Sequence, residues 1–305
     1  MKPLSINGLV TASVTPMKPD GSIWDEAIAR QVDYLVESDL KGIYVLGSTG
    51  EGMLLTDDER KYVAEKFVEA AKGRIPIFVQ VGHNSWKASA ELARHAQEIG
   101  ADAISATSPG YFKPGNAEIL LEGVQEVCEA SSKTPFYYYH IPQLSGVSVD
   151  IFEFTKLANE RLENFVGIKY SDGATLYQLQ ELQSIAPDCE YLAGSDEAYL
   201  MSCAQGYKGA VGSTYGYGKP LYDQVRENVL AGNFEEAQKW QHRANTMITI
   251  LFRECGRAGL KAMWDAIGLP MGASRNPIQT PTESQVEGLK EALKREGFYE
   301  WLREG

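Results

Sequence analysis

Residues 42–82 read GIYVLGSTGEGMLLTDDERKYVAEKFVEAAKGRIPIFVQVG. Two apolar runs, GIYVLG and IPIFVQVG, enclose the segment TDDERKYVAEKFVEAAK, whose apolar residues recur with helical periodicity. Thr56 is followed three residues later by Glu59, the spacing of a capping box, so we expect the helix to begin there. This stretch therefore predicts a strand, a loop, a crossover helix and a second strand parallel to the first.

The same unit recurs along the chain. Helical patterns cover residues 24–39, 56–72, 85–100 and 117–132. Eight short apolar or β-branched runs predict strands at 9–15, 42–47, 75–82, 101–106, 135–140, 164–169, 189–194 and 209–213. Eight alternations within roughly 220 residues predict a TIM (β/α)8 barrel, an α/β fold. A doubly wound sheet is the alternative, but it usually carries a glycine-rich dinucleotide turn after its first strand, and VTASVTPMKPDGS is not one.

The chain changes character after residue 232. Segments 233–255, 259–269 and 283–302 have helical patterns with no strand between them, and a loop rich in Pro, Gly and Ser interrupts them. We therefore predict a catalytic barrel domain at 1–232 and a C-terminal three-helix extension at 233–305 packed on the barrel. The extension could serve assembly or stability alone.

Composition narrows the class of protein. The chain has 305 residues, 44% of them hydrophobic, which suffices for a large core. A net charge of −12 without an acidic tail disfavours nucleic acid and anionic membranes and leaves small molecules as partners. The four cysteines form no CxxC pair and the four histidines are scattered, so we expect reduced thiols and no metal site. Without a signal peptide or a long apolar run, we expect a cytoplasmic protein.

Lys169 stands out in NFVGIKYSD, at the end of the sixth predicted strand. Strands of a covered parallel sheet are apolar on both faces, and an unpaired ammonium there is costly. Two interpretations stay open. The side chain either extends to water or to an acidic residue, or burial lowers its pKa so that a neutral amine can attack a carbonyl.

In a TIM barrel, the carboxyl ends of the strands share one mouth, where active sites lie. The predicted strand ends supply mainly hydroxyls and glycines, with a single lysine, which suits imine formation with a ketone. Tyr139, on the strand next to Lys169, is the best candidate for a base that removes a proton from a hydroxyl. Tyr137 shares its face, so packing remains an alternative role for these tyrosines.

Two other strand ends have more than one interpretation. Ser48 and Thr49 in GSTGEG could hold a carboxylate or phosphate with hydroxyls and backbone N–H groups, or could form only a tight turn. The segment lacks the Lys-Ser/Thr ending of a P-loop. Asp196 and Glu197 could cap the following helix, or could accept hydrogen bonds from several sugar hydroxyls.

These motifs together resemble a known family. GSTGE, YYYHIP followed by SG, GIKYSD, GSDE and GAVGSTY, in this order and spacing, are similar to the dihydrodipicolinate synthase and N-acetylneuraminate lyase family of pyruvate-dependent class I aldolases. The resemblance runs along nearly the whole chain. It favours the N-acetylneuraminate lyase branch, because YHIPQLSG lacks the arginine that synthases usually carry shortly after strand 5, and GSDE resembles the sugar-binding motif of the lyases.

The resemblance implies a mechanism. Lys169 would form a Schiff base with C2 of open-chain sialic acid while Ser48 and Thr49 hold its carboxylate. Tyr139 would deprotonate the C4 hydroxyl, and cleavage of C3–C4 would give N-acetylmannosamine and pyruvate without a cofactor. Tyr111 would join Tyr139 and Ser48 in a proton relay, shared between subunits of a homotetramer. The resemblance also implies that the substrate is contacted by Ser171, Gly194, Asp196, Glu197 and Ser213.

Two departures from the lyase pattern lie near the sugar pocket. Gly216 stands where many lyases have Asn, and Gln143 replaces a commonly small residue. Both leave the imine chemistry intact and leave the preferred acyl group and sugar length open. The alternatives are an aldolase for 2-keto-3-deoxy sugar acids, a dihydrodipicolinate synthase, a non-catalytic sensor of 2-oxo acids or sugars, and a phosphate-binding barrel enzyme.

Overall fold

Eight parallel strands follow one another in chain order and close into a barrel in the computed structural model, which describes all 305 residues. This confirms the predicted TIM barrel. All strands except the sixth are shorter than predicted; β2, for example, stops before Leu46, whose φ of 63° turns the chain out of the sheet. The strands are β1 (Gly8–Ala12), β2 (Gly42–Val45), β3 (Ile77–Gln80), β4 (Ala103–Ala106), β5 (Phe136–His140), β6 (Phe165–Tyr170), β7 (Glu190–Ala193) and β8 (Gly209–Gly212).

Helices surround the barrel and connect its strands. The predicted capping box is present: the Thr56 hydroxyl accepts from the Glu59 N–H, and the Glu59 carboxylate accepts from the Thr56 N–H. The helices of the barrel are α1 (Asp25–Glu37), α2 (Asp57–Ala71), α3 (Trp86–Glu98), α4 (Ala117–Ala130), the single turn α5 (Pro142–Ser145), α6 (Ile151–Arg161), α7 (Gln178–Ile185), α8 (Tyr199–Ala204) and α9 (Tyr215–Leu230).

The strands bury apolar side chains on both faces, as a parallel sheet covered by helices must. A cluster of 73 buried residues fills the space between the strands and the helices and continues into the C-terminal helices. A second cluster of 11 buried residues fills the barrel interior: Ile6, Val10, Ala12, Tyr44, Phe78, Ala103, Tyr137, Tyr139, Val166, Leu192 and Val211. The barrel is therefore a packed core whose chemistry is confined to its ends.

A register shift between β5 and β6 sets the direction of the site lysine. Phe136 pairs with Phe165, but Tyr137 pairs with Gly167, so β6 carries one extra residue there. Because side chains alternate along a strand, the extra residue lets both Val166 and Lys169 point into the barrel. Gly167 is required at this point, since a Cβ would lie 1.9 Å from the carbonyl oxygen of Glu190.

The C-terminal extension contains four helices where the sequence predicted three. Gly297, with φ of 92°, ends one helix and begins the next, a conformation that favours glycine. The division at residue 232 stays a prediction, because the large hydrophobic cluster runs across it. No helix in the chain is both long and apolar enough to cross a membrane. The four helices are α10 (Phe234–Cys255), α11 (Gly259–Ala266), α12 (Glu283–Glu296) and α13 (Phe298–Glu304).

Candidate active site

A cavity of about 660 Å³ opens at the carboxyl ends of the strands. It is lined by residues from most of the strand ends and by Ile248, Phe252, Arg257 and Leu260 of the C-terminal extension. Of the site residues expected from the sequence, all but Tyr111 line this cavity: Ser48, Thr49, Tyr139, Lys169, Ser171, Gly194, Asp196, Glu197 and Ser213. The barrel therefore brings together side chains that lie far apart in the sequence.

Lys169 lies at the bottom of the cavity and is only 4% exposed. Its Nζ lies 3.6 Å from the centre of the Tyr139 ring and 4.4 Å from the centre of the Tyr44 ring. The lysine forms no salt bridge. The two ordinary roles considered for it, extension to water and pairing with an acidic residue, are therefore wrong.

Tyr139 and Tyr44 have pKa values shifted in opposite directions. Burial acts to raise the pKa of Tyr139, but the charge of Lys169 and polar contacts with Lys169, Ser48 and Ser171 outweigh it, so the pKa is lowered. Burial, and then the charge of Tyr139, raises the pKa of Tyr44 well above its usual value. Since such divergence separates the roles of neighbouring groups, Tyr139 is the phenol that can exchange a proton and Tyr44 the one that stays neutral.

Tyr44 is a residue that sequence reasoning missed. It lies on β2, where the run GIYVLG indicates a strand but gives no sign of a site residue. Its hydroxyl donates to Ser105 Oγ at 3.1 Å, and its ring meets that of Tyr139 edge-on at 5.7 Å. The alternation of side chains along β2 could have indicated that it faces the barrel interior, although not that it would contact Lys169.

The loop that carries Ser48 and Thr49 is a tight turn. Leu46 and Glu51 both have positive φ values, 63° and 57°. A Cβ on Gly52 would lie 1.9 Å from the carbonyl oxygen of Leu46, so only glycine fits there. The Thr49 hydroxyl lies 2.6 Å from that of Ser213 on the β8 side. The segment is thus a tight turn that leaves Ser48 and Thr49 at the cavity, and its role in binding an anion stays a prediction.

A buried ion pair holds this loop to the C-terminal extension. Lys261 Nζ lies 2.7 Å from Glu51 Oε1, and the two side chains are 3% and 4% exposed. The other carboxylate oxygen of Glu51 accepts from the Arg275 backbone N–H at 2.6 Å, and Lys261 also donates to the Ala273 carbonyl at 2.6 Å. The strained turn is therefore fixed by residues more than 200 positions further along the chain, a pairing for which the local sequence has no signal.

Asp196 follows β7, borders the cavity and is 7% exposed. Its Oδ2 accepts from the backbone N–H and the hydroxyl of Thr214, each at 2.8 Å. Burial and the nearby charge of Glu197 raise the pKa of Asp196 to about 6. Asp196 therefore does not cap the helix that follows it in sequence but accepts the N–H of the residue before α9. Glu197 is exposed at the cavity.

Helix α10 fixes the turn that carries these carboxylates. Gln241 Nε2 donates to the Asp196 carbonyl at 3.0 Å, and Asn245 Nδ2 donates to the Glu197 carbonyl at 3.2 Å. The extension thus forms part of the site, beyond the assembly or stability roles expected from its sequence. Gln241 and Asn245 were not identified from the sequence, because polar residues on a helix carry no sign of which distant loop they contact.

Ser171 and Gly194 lie against each other at the ends of β6 and β7. A Cβ on Gly194 would lie 2.0 Å from Ser171 Oγ, so the glycine makes room for the hydroxyl. That oxygen is buried near Tyr139, but its geometry completes no hydrogen bond. An unsatisfied buried hydroxyl at a cavity is available to a ligand.

Tyr111 does not line this cavity, although it borders a neighbouring cavity together with Ser48. It is 79% exposed, and its ring packs edge-on against Phe112 with centres 4.9 Å apart. Its backbone N–H and that of Gly110 donate to Asn84 Oδ1, which holds the loop outward. The predicted relay with Tyr139 and Ser48 is therefore not formed within a single chain.

Of the two departures from the lyase pattern, Gln143 lines the cavity and Gly216 does not, so the expectation that both lie near the sugar pocket is wrong for Gly216. A Cβ on Gly216 would lie 2.8 Å from the Trp264 ring and 2.9 Å from the Thr11 hydroxyl, so Trp264 occupies the space of a larger side chain. Gln143 Nε2 donates to Asp172 Oδ1 at 2.7 Å, which links the loops after β5 and β6 beside the cavity. No group of three or more His, Cys, Asp or Glu residues is arranged to hold a metal ion.

Known proteins are similar to this chain in sequence and in structure. The sequence profile of the dihydrodipicolinate synthetase family matches residues 5–296. The chain is 37% identical to the N-acetylneuraminate lyase of Gallus gallus over 294 residues, covering 95% of this chain and 96% of that protein. The solved N-acetylneuraminate lyase of Proteus mirabilis has a TM-score of 0.92 and 31% identity, covering 96% of this chain and 99% of that one. A Ruminococcus gnavus sialic acid aldolase, solved as a catalytic lysine mutant, has a TM-score of 0.90 and 29% identity, covering 99% and 100%.

Proposed function

Because the chain belongs to the dihydrodipicolinate synthetase family, we propose that it is an aldolase that reversibly cleaves N-acetylneuraminate to N-acetylmannosamine and pyruvate. One observation carries the proposal. Lys169 is buried without an acidic partner and contacts Tyr139, whose pKa is lowered, in a cavity otherwise rich in hydroxyls. A buried amine beside a phenol that can exchange protons is suited to imine chemistry on a ketone.

In the first step, the Lys169 amine attacks C2 of the open-chain sugar acid, and the keto oxygen leaves as water. Ser48 and Thr49 hold the substrate carboxylate through hydroxyl and backbone N–H groups. Lys169 forms no ion pair that would compete with the substrate, and the Tyr44 ring packs against its Nζ. The product is an iminium that can accept electrons from the adjacent C3–C4 bond.

In the second step, Tyr139 removes the proton from the C4 hydroxyl. The C3–C4 bond breaks, its electrons pass to the iminium, and N-acetylmannosamine leaves as the aldehyde. The remaining enamine is protonated at C3 and hydrolysed, which releases pyruvate and restores the Lys169 amine. Tyr139 is the register partner of Lys169 on the neighbouring strand. The general base and the nucleophile therefore lie at the same height in the barrel.

The sugar portion lies along the residues that follow β6, β7 and β8. Asp196 and Glu197 accept hydrogen bonds from sugar hydroxyls, and Ser213 and the Gly194 backbone supply further polar contacts. The Ser171 hydroxyl, which lacks a partner in the free protein, completes a hydrogen bond to the substrate. Ile248, Phe252 and Leu260 of the extension border the same cavity, so the barrel and the extension together set the space for the sugar.

The proposal also covers the cofactor requirement, the cellular location and the assembly of the enzyme. The chemistry needs no cofactor, since the lysine itself supplies the electron sink. We place the enzyme in the cytoplasm as a homotetramer in which Tyr111, exposed in one chain, reaches the site of a partner subunit. Sedimentation velocity tests the tetramer, and Tyr111→Phe tests the relay: kcat should fall while the assembly persists.

The direct test is pyruvate release from N-acetylneuraminate, followed by coupling to lactate dehydrogenase and NADH. Turnover at ordinary enzymatic rates supports the proposal. No turnover with N-acetylneuraminate, together with turnover of 2-keto-3-deoxy sugar acids, would keep the aldolase chemistry and reject the sugar. No turnover of any 2-oxo acid would reject the aldolase itself.

A further inference from the structure

Arg257 enters the cavity from the C-terminal extension. It lies in the short turn Gly256–Ala258 between α10 and α11, and its Nη2 donates to the Ser48 carbonyl at 3.0 Å. The side chain is exposed and forms no salt bridge. Its guanidinium is therefore anchored at the Ser48–Thr49 turn by one hydrogen bond, with its other N–H groups free.

The charged residues around the cavity indicate what Arg257 can bind there. Lys169 and Arg257 are its only cationic residues, and Asp196 and Glu197 are its only carboxylates. Lys169 attacks as the neutral amine, so Arg257 is the one permanent positive charge at the cavity. Arg257 also borders a small crevice with Thr49, where the Glu51 carboxylate is already paired with Lys261. The two carboxylates of the cavity belong to the turn after β7.

We propose that Arg257 binds the carboxylate of the 2-oxo acid together with Ser48 and Thr49. This role rests on the proposed function, and it assigns a substrate contact to the C-terminal extension. A guanidinium is planar, always charged and matched to a carboxylate, so it attracts the anion without regard to the protonation state of Lys169. The arrangement selects ketones that carry an adjacent carboxylate over neutral ketones.

The test is borohydride trapping of pyruvate on Lys169, measured as adduct formed against pyruvate concentration. In Arg257→Gln, which loses the charge, the half-saturating concentration of pyruvate should rise about tenfold, and Arg257→Lys should lie between this variant and the unaltered protein. With methyl pyruvate, a neutral ester, the three proteins should match. Raised salt should weaken pyruvate capture in the unaltered protein more than in Arg257→Gln.

Arg253→Gln is the matched control, because Arg253 lies nearby at the end of α10, pairs with Glu254 and does not border the cavity. An equal half-saturating concentration of pyruvate in Arg257→Gln and the unaltered protein would overturn the role of Arg257 alone. An equal rise with methyl pyruvate would also overturn it, since it would indicate a disturbed turn rather than a lost charge. Absence of any adduct in the unaltered protein would overturn the proposed function as well.

Discussion

Tyr137 and Tyr139 lie two residues apart on β5 and face the same barrel interior, 1% and 4% exposed. Tyr137 donates to Glu190 Oε2 at 2.6 Å and accepts from the Leu4 N–H at 3.0 Å. Burial and Glu190 raise the pKa of Tyr137, whereas Lys169 lowers that of Tyr139. Burial is thus nearly the same, and the sign of the neighbouring charge decides which phenol can exchange a proton.

The difference follows the two ends of the barrel. At the amino end of the strands, Glu190 accepts from Tyr137 and from the Ile6 N–H, and this network closes the barrel. At the carboxyl end, Lys169 and hydroxyls face a cavity. In TIM barrels the first end serves stability and the second catalysis. Substitutions at each end of the barrel can test this difference.

Removing the charge at the carboxyl end should have the largest effect. We expect Lys169→Met to lower kcat/KM for N-acetylneuraminate by at least about a thousandfold, because the nucleophile is lost. Thermal stability should not fall, since Met fills a similar volume without a buried charge. Lys219→Met, which breaks a pair with Asp223 on α9, is the control and should retain full activity. Substantial turnover by Lys169→Met would contradict the mechanism.

Exchanging each phenol for phenylalanine tests the comparison itself. Tyr139→Phe should lower kcat by about a hundredfold to ten-thousandfold, the usual effect of a general base, and still form the pyruvate adduct. Tyr137→Phe should keep kcat within about twofold and lower the free energy of unfolding by about 1–3 kcal/mol, because Glu190 and the Leu4 N–H lose a partner. Steady-state kinetics and denaturant unfolding separate the two, and equal losses of kcat would refute the distinction.

The turn at the mouth can be disturbed without touching the reacting groups. Lys261→Met leaves the Glu51 carboxylate buried without its cation, which should cost about 3–5 kcal/mol of unfolding free energy. KM should rise more than kcat falls, since in the proposed mechanism the turn holds the substrate carboxylate. Adding Glu51→Gln should restore part of the stability. Lys239→Met, which removes an exposed pair with Glu236, should not measurably change the free energy of unfolding. If Lys261→Met also left it unchanged, the Lys261–Glu51 pair would not stabilise the turn.

The smallest effect concerns Asp196, whose pKa is raised to about 6. A raised pKa means that the folded protein favours the protonated acid, so this contribution to stability is present below pH ~4 and is lost as pH rises through about 6. Asp196→Asn should therefore increase the free energy of unfolding at pH 8 by up to about 3 kcal/mol, with no gain at pH 4. Urea unfolding at both pH values measures this difference.

The same titration should appear in substrate binding. KM for N-acetylneuraminate should rise as pH falls through about 6, because protonated Asp196 accepts hydrogen bonds less well. Asp196→Asn should have a high KM without this pH dependence. Glu190→Gln is the matched control at the other end of the barrel: burial also raises the pKa of Glu190, but its loss should leave the KM profile unchanged. A changed pH dependence of KM in Glu190→Gln would contradict the functional difference between the two ends of the barrel.

Local patterns predicted the parts of the fold that depend on local physics. Alternation of apolar runs and helical periods located the eight strands, and the Thr56–Glu59 spacing located the start of α2. The break at Gly297 was missed, because the helical pattern continues across it and a glycine inside such a pattern does not by itself end a helix. Lys169 was identified because a charge inside an apolar strand contradicts its surroundings.

The parts that depend on distant contacts could not be predicted. The partner of Glu51 is Lys261, and the turn after β7 is held by Gln241 and Asn245, all from the extension. No periodicity or spacing relates such residues. The bulge that points Lys169 inward likewise depends on pairing between strands, which a single glycine in the sequence does not specify. Resemblance to a family suggested the relay role of Tyr111, but a single chain leaves that side chain in solvent.

The proposed mechanism requires that Lys169, and no other lysine, is the nucleophile. The measurement that tests it most directly is borohydride reduction of the protein in the presence of pyruvate, followed by peptide mass spectrometry. We expect one reduced pyruvate adduct per chain, on the peptide that contains Lys169, and none in Lys169→Met. An adduct on another lysine such as Lys261, or no adduct while N-acetylneuraminate is still cleaved, would contradict it.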